Sequence, residues 1–180
     1  MNNPWYRKFL FLGPKPAPPS DGPGDEADSL NSLGVLHSSS DTYPRDLAAA
    51  LGCFRKAAEA GHSIAQNNLA MMLARGDVGP KNPEEATVWF LRAANQGDAG
   101  AQFNLAARSH RANMRGLAAD ASEGRVEALK WFQLAAAQGY RKADEWCERL
   151  RLDMNASEVA EANRRAAAFV PSKELSGQAA

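Results

Sequence analysis

"FRKAAEAGHSIAQNNLA" runs from Phe54 to Ala70, and "FLRAANQGDAGAQFNLA" runs from Phe90 to Ala106, 36 positions later. The two stretches align without gaps at Phe54/Phe90, Ala57/Ala93, Ala58/Ala94, Gly61/Gly97, Ala65/Ala101, Gln66/Gln102, Asn68/Asn104, Leu69/Leu105 and Ala70/Ala106. A third copy begins "FQLAAAQGYRKA" at Phe132, where Phe132, Ala135, Ala136, Gly139 and Ala143 recur after a longer step of 42. Within a unit, Ala86, Phe90, Ala93, Ala94 and Gly97 are spaced so that residues three and four apart share a face, which is the helical stripe. A strand would scatter them over both faces.

The echo extends upstream, since Leu33, Asp46, Ala50, Phe54 and Gly61 each precede Leu69, Asn82, Ala86, Phe90 and Gly97 by 36. Asn82, followed by Pro83 and Glu85, predicts a helix start with a capping box: the asparagine accepts an orphan amide, proline fits the first turn, and Glu85 reaches back. Asp46 holds that place one repeat earlier, and Gly124 with Glu127 is expected to hold it one repeat later. Gly61, Gly97 and Gly139 are expected to end helices in the left-handed conformation that glycine adopts without steric cost. Each unit therefore reads as helix, loop, helix, glycine stop. A helix pair cannot bury its apolar face alone, so neighbouring units must stack, with alanines where backbones approach and phenylalanine filling the gap.

Composition agrees with a folded chain of 180 residues, 44% apolar and 23% charged. Lysine plus arginine and aspartate plus glutamate each number 21, so no overall basic field draws the chain to nucleic acid or anionic lipid. No apolar run approaches the roughly 20 residues a membrane helix needs, and "FLFLG" is too short for an export signal; membrane insertion is not expected, and a cytoplasmic location is. Cys53 and Cys147 show no CxxC spacing and are expected as buried or free thiols. Residues 1–24 form an expected arm and linker: Trp5, Tyr6, Phe9, Leu10 and Phe11 precede the Pro/Gly-rich "GPKPAPPSDGPG", and the arm either docks loosely or acts as a binding segment. Residues 25–170 form the expected repeat body with its carboxy-terminal helix, and 171–180 an expected disordered tail.

The string "LAMMLARGDVGPKNPEEATVWFLRAANQGDAGAQFNLA" resembles the Sel-one-like repeat of the tetratricopeptide-like superfamily, with Leu69, Ala70, Leu73, Gly76, Val78, Asn82, Ala86, Trp89, Phe90, Ala93, Ala94, Gly97, Ala101 and Gln102 at the pattern positions. The likeness covers about Asp25 to Lys142, and "MNASEVAEANRRAAAF" looks like a closing helix with Asn155 and Glu158 as its capping box. The resemblance implies an all-α fold, a right-handed α-solenoid of about three helix-pair repeats plus a carboxy-terminal capping helix, of bacterial type. It also implies a non-catalytic adaptor or scaffold that binds a protein or peptide segment on the concave surface. The third unit departs from the pattern, with about six extra residues expected to enlarge a loop within "SHRANMRGLAADASEGR".

No HExxH, GxSxG, GxxxxGK or GxGxxG motif occurs, and His37, His62 and His110 fall at unrelated repeat positions, so no catalytic residue, cofactor or metal site is expected. Glu59, Glu84 and Glu85 are explained by helix ends and surface charge. The partner-binding candidates lie on the first helix of each unit: Asn31; Asn67, Met71 and Arg75; Phe103, His110 and Arg111. Val35, Ser38, Ser39, Ala74 and Ala107 accompany them. Met71 and Phe103 would offer apolar anchors and Asn67 a hydrogen bond, unless Met71 and Phe103 belong to the core. Arg108, Arg111 and Arg115 have helical spacing, which suits either a basic face for an acidic partner or a solvated surface. Two other readings stay open: a hydrolase-type enzyme using the groove, and self-association through uncapped terminal units.

Overall fold

The computed structural model describes residues 23–39, 45–117 and 120–172; most of the arm and linker expected over 1–24, and residues 173–180 of the expected tail, lie outside them. Among the described residues there are eight helices and no strand: α1 (Pro23–Ser38), α2 (Leu47–Glu59), α3 (Ser63–Arg75), α4 (Pro83–Asn95), α5 (Ala99–Met114), α6 (Ala121–Ala137), α7 (Arg141–Leu152) and α8 (Ala156–Ala167). Each helix packs on its successor as far as α7, and α8 folds back onto α6. The result is an all-α solenoid of three helix pairs closed by two further helices, where one capping helix was expected. None of the described helices is long and apolar enough to cross a membrane.

The repeated landmarks form the core. Ala50, Ala86 and Ala128 are buried, as are Phe54, Phe90 and Phe132, and Ala57, Ala93 and Ala135. Small residues mark close approach, as the spacing predicts: in α1 a methyl group added to Gly34 would lie 2.7 Å from two carbons of the Phe54 ring. Gly61, Gly97 and Gly139 follow α2, α4 and α6 with φ of 88°, 96° and 79°, the left-handed region in which a side chain is strained. The cysteines are free thiols, Cys53 half-buried and Cys147 buried.

Two polar ladders run through the stack. Gln66 and Gln102 are both buried. Gln66 donates to the Ala58 carbonyl at 3.1 Å and accepts from Gln96 at 2.8 Å, and Gln102 repeats this with Ala94 at 3.2 Å and Gln138 at 2.9 Å. Buried amides thus find partners, as a low-dielectric interior requires. The second ladder links the first helices: Asn68 donates to Asn31 at 3.1 Å, and Asn104 donates to Asn67 at 3.0 Å.

Several local expectations are corrected. Asn82 caps α4 by accepting the Glu85 amide at 3.1 Å, but Glu85 does not reach back to its backbone. The Asn82 N–H donates to the Leu73 carbonyl at 3.0 Å, and the Glu85 carboxylate instead accepts from the Asn82 side-chain amide, from Arg55 of α2 and from Trp89. The full capping box is present at α8, between Asn155 and Glu158. Gly124 is not the cap of α6. Asp120 is, accepting the amides of Ser122 and Glu123 at 2.8 and 3.2 Å.

The six extra residues of the third unit do not enlarge a loop. Relative to α3 and α4, helix α5 continues three residues further and α6 starts four residues earlier, while the connection shortens by one. Polar contacts at the start of α6, in the added turn and the one after it, help to hold α8. Ser122 donates to Glu158 at 2.6 Å, Arg125 pairs with Glu158, and Arg165 of α8 pairs with Glu123 and, at 2.8 Å, with Glu127. Beyond α8, Phe169 stacks edge-on against Trp131, Pro171 lies against Gly97, and the Ser172 N–H donates to the Asn95 carbonyl at 2.9 Å. Packed chain therefore extends to Ser172, two residues into the expected tail. At the other end, α1 begins at Pro23, inside the expected linker.

Candidate functional site

The first helices α1, α3 and α5 each expose one stripe, and the stripes lie side by side. Between α3 and α5 is a depression of about 240 Å³ lined by Met71, Ala74 and Arg75 on one side and by Asn104, Ala107, Arg108 and Arg111 on the other, with Phe90 between them. A second depression, of about 270 Å³, lies between α1 and α3 and is lined among others by Val35, Ser38, Arg45 and Asn68. Met71 and Arg75 border both, so the two form one surface crossing three units.

The geometry explains how each cation is held. Arg108 donates through Nη2 to the Pro83 carbonyl and to Thr87 Oγ1, both at 2.9 Å, and its guanidinium lies 6.0 Å from the centre of the Phe90 ring. Its Nε is buried without a hydrogen-bond partner among the described residues. Burial, together with the like charge of Arg111, lowers its pKa, and Glu84 acts in the opposite sense. Arg75 donates to the Met71 sulfur at 3.5 Å and lies 3.9 Å from Asp77. Arg45 donates from Nε to the Ser38 carbonyl at 3.0 Å. Arg111 is exposed.

Of the sequence-predicted residues, the structure brings Met71, Arg75 and Arg111 together on this surface. Asn31, Asn67, Phe103 and His110 face neighbouring helices instead. Asn31 and Asn67 are acceptors in the asparagine ladder. Phe103 stacks on Tyr140 at 4.8 Å and meets Phe132 edge-on at 5.4 Å, so its role is core packing. His110 packs edge-on against Trp146 at 5.4 Å, and burial lowers its pKa. Of the arginines at positions 108, 111 and 115, the first two line the depression, and Arg115 caps the end of α5.

Sequence reasoning passed over Asn68, Asn104 and Arg45 as surface residues. The signal for the asparagines was present in the opening echo, where Asn68 and Asn104 recur one place before the buried leucine. Arg45 gave none, because it lies in the connection before α2.

Comparison with known proteins fits this architecture. The Sel1 repeat pattern matches residues 27–62, 63–98 and 99–140, each span covering one helix pair. Among solved structures, the chain is similar to c5321, a protective antigen present in uropathogenic Escherichia coli strains and displaying an SLR fold. That likeness has 24% identity and a TM-score of 0.68 over 86% of this chain and 34% of that one, so this chain spans about a third of its length. It is also similar to a Sel1 repeat protein from Oxalobacter formigenes, with 31% identity and a TM-score of 0.56 over 70% of this chain and 90% of that one. No curated protein matches it. Three matched repeats cover well over half of the sequence, and the chain belongs to the Sel1 repeat family.

Proposed function

We propose that the protein is a non-catalytic interaction module that binds a segment of a partner protein along the face formed by α1, α3 and α5. The observation that carries this reading is the continuous surface on which Met71 and Arg75 border two adjoining depressions, one of them also lined by Arg111. Stacked helix pairs present extended surfaces of this kind to peptides and protein segments. The side chains between α3 and α5 suit gripping: Met71 offers adaptable apolar contact, Asn104 an amide, and the arginines fixed forks of donors. Arginine keeps its proton across the physiological pH range, so these groups are poor candidates for general acid or base work.

Affinity purification followed by mass spectrometry, comparing the native chain with the Met71→Glu, Arg111→Glu double variant, tests the reading. Loss of the captured partner at unchanged helicity is expected, and undiminished capture by the double variant rejects this face.

One observation favours a second reading, self-association through the first unit. Leu33 is 42% exposed, whereas its repeat equivalents Leu69 and Leu105 are 0% and 6% exposed under the preceding hairpin. Light scattering tests it. A monomer at micromolar concentration excludes this association.

A further inference from the structure

The chain is electrically neutral as a whole, with 21 basic and 21 acidic residues. The surface along the first helices is not. Arg45, Arg75, Arg108 and Arg111 line it. Among the described residues, Asp77 is the one carboxylate within 4.0 Å of these four guanidiniums, at 3.9 Å from Arg75. The contact of α6 with α8 shows the contrast: Arg125, Arg164 and Arg165 are paired with Glu158, Glu161, Glu123 and Glu127. Positive charge is thus neutralised where α6 meets α8 and left in excess where α3 meets α5.

We infer that the partner segment is acidic, with one or two carboxylate side chains received between Arg75, Arg108 and Arg111 and a neighbouring apolar side chain set against Met71. This inference rests on the reading of the first-helix face as the binding face. Carboxylates match the planar fork of a guanidinium, and such charge-assisted hydrogen bonds are about twice as strong as neutral ones. The aromatic rings that line the two depressions, Phe90 and Phe54, are each 3% exposed and offer no open face on which bases stack. A nucleic-acid ligand would also call for the long-range positive field that a neutral chain lacks.

Selection from a random 12-residue peptide library displayed on phage, against the full chain, tests the inference, followed by affinity measurements on synthetic copies of the selected peptides. The expected result is enrichment of Asp and Glu beside Leu, Ile or Phe. Affinity should fall at least about tenfold with Arg111→Glu, further with Arg75→Glu added, and fall with rising salt. Circular dichroism confirms that the exposed-site variants remain folded. Selected peptides that depend on Met71 but carry no acidic bias overturn the acidic inference and leave the binding face standing. Peptides insensitive to Met71, Arg75 and Arg111, or no enrichment at all, overturn both. A single-stranded 12-mer oligonucleotide that binds as tightly through the same arginines overturns the choice of a peptide.

Discussion

Ser122, in the extra turn of α6, donates a 2.6 Å hydrogen bond to Glu158, in the first turn of α8. The same carboxylate pairs with Arg125 and, through Oε2, accepts the Asn155 N–H at 2.9 Å. One residue therefore caps α8, docks it on α6 and neutralises a half-buried guanidinium. The longer third unit thus adds polar contacts, through Ser122 and Glu123, to the docking of α8 on α6.

The side-chain hydrogen bonds from Arg125 and then Ser122 hold the Glu158 pKa at about 2, below its ordinary value of 4.5. A depressed carboxylate contributes stability that is present above its unfolded pKa and is lost as pH falls through the folded one. Stability should therefore decline between about pH 4.5 and 2 as Glu158 takes up a proton. Glu158→Ala should cost on the order of 1.5–3 kcal/mol at pH 7 and flatten that part of the acid profile. Thermal melts of both proteins across this range give the answer. An unchanged acid limb would show that α8 docks without the carboxylate.

Gly34 faces the buried Phe54 ring with no room for a methyl group. Helix propensity alone favours Gly34→Ala by about 1 kcal/mol. We expect the opposite sign, a net loss of about 1 kcal/mol or more, because overpacking a filled site typically costs 1–3 kcal/mol. A raised melting temperature for this variant would mean that the ring gives way.

Gln66→Ala should remove the donor to Ala58 and the acceptor for Gln96 together. Leaving a buried carbonyl unpaired costs about 1–3 kcal/mol, and the loss should appear as a lower denaturant midpoint. Slower-exchanging amides at the end of α2 in native-state hydrogen exchange, in place of faster ones, would contradict the ladder's role.

Met71 and Phe103 should separate cleanly. Phe103→Ala breaks two aromatic contacts in the core and is expected to cost about 2–4 kcal/mol. Met71→Glu, on a half-exposed surface, should change stability by less than about 1 kcal/mol while abolishing partner capture. Equal destabilisation by both would place Met71 in the core as well.

The helix pairs, their glycine stops and the buried alanine and phenylalanine rows were legible because each recurs at a fixed step, and recurrence reports packing that every unit shares. The fate of the third unit's insertion was not. A step of 42 announces added residues, but alanine, serine and glutamate suit a helix extension as well as a loop, and only the Asp120 cap decides between them. The surface was half legible. Asn67 and Met71 share a helix face, yet angular position does not say how near the next helix comes at each level. Gly100 has no side chain, so α5 lies close against Asn67 and closes that end, with a built Cβ only 3.2 Å from the Asn67 amide nitrogen. One turn further on, Met71 and Arg75 border open space.

The bond from Ser172 to Asn95 joins positions 77 apart in the chain, in an architecture whose other contacts mostly link neighbours. A one-dimensional stack can unravel from either end, each unit letting go in turn. A latch that reaches from beyond α8 back to the end of α4 ties the second unit's fate to that of the last helix. Melting of this half should therefore be concerted, and a ribosome must pass Ser172 before the second unit acquires its final neighbour.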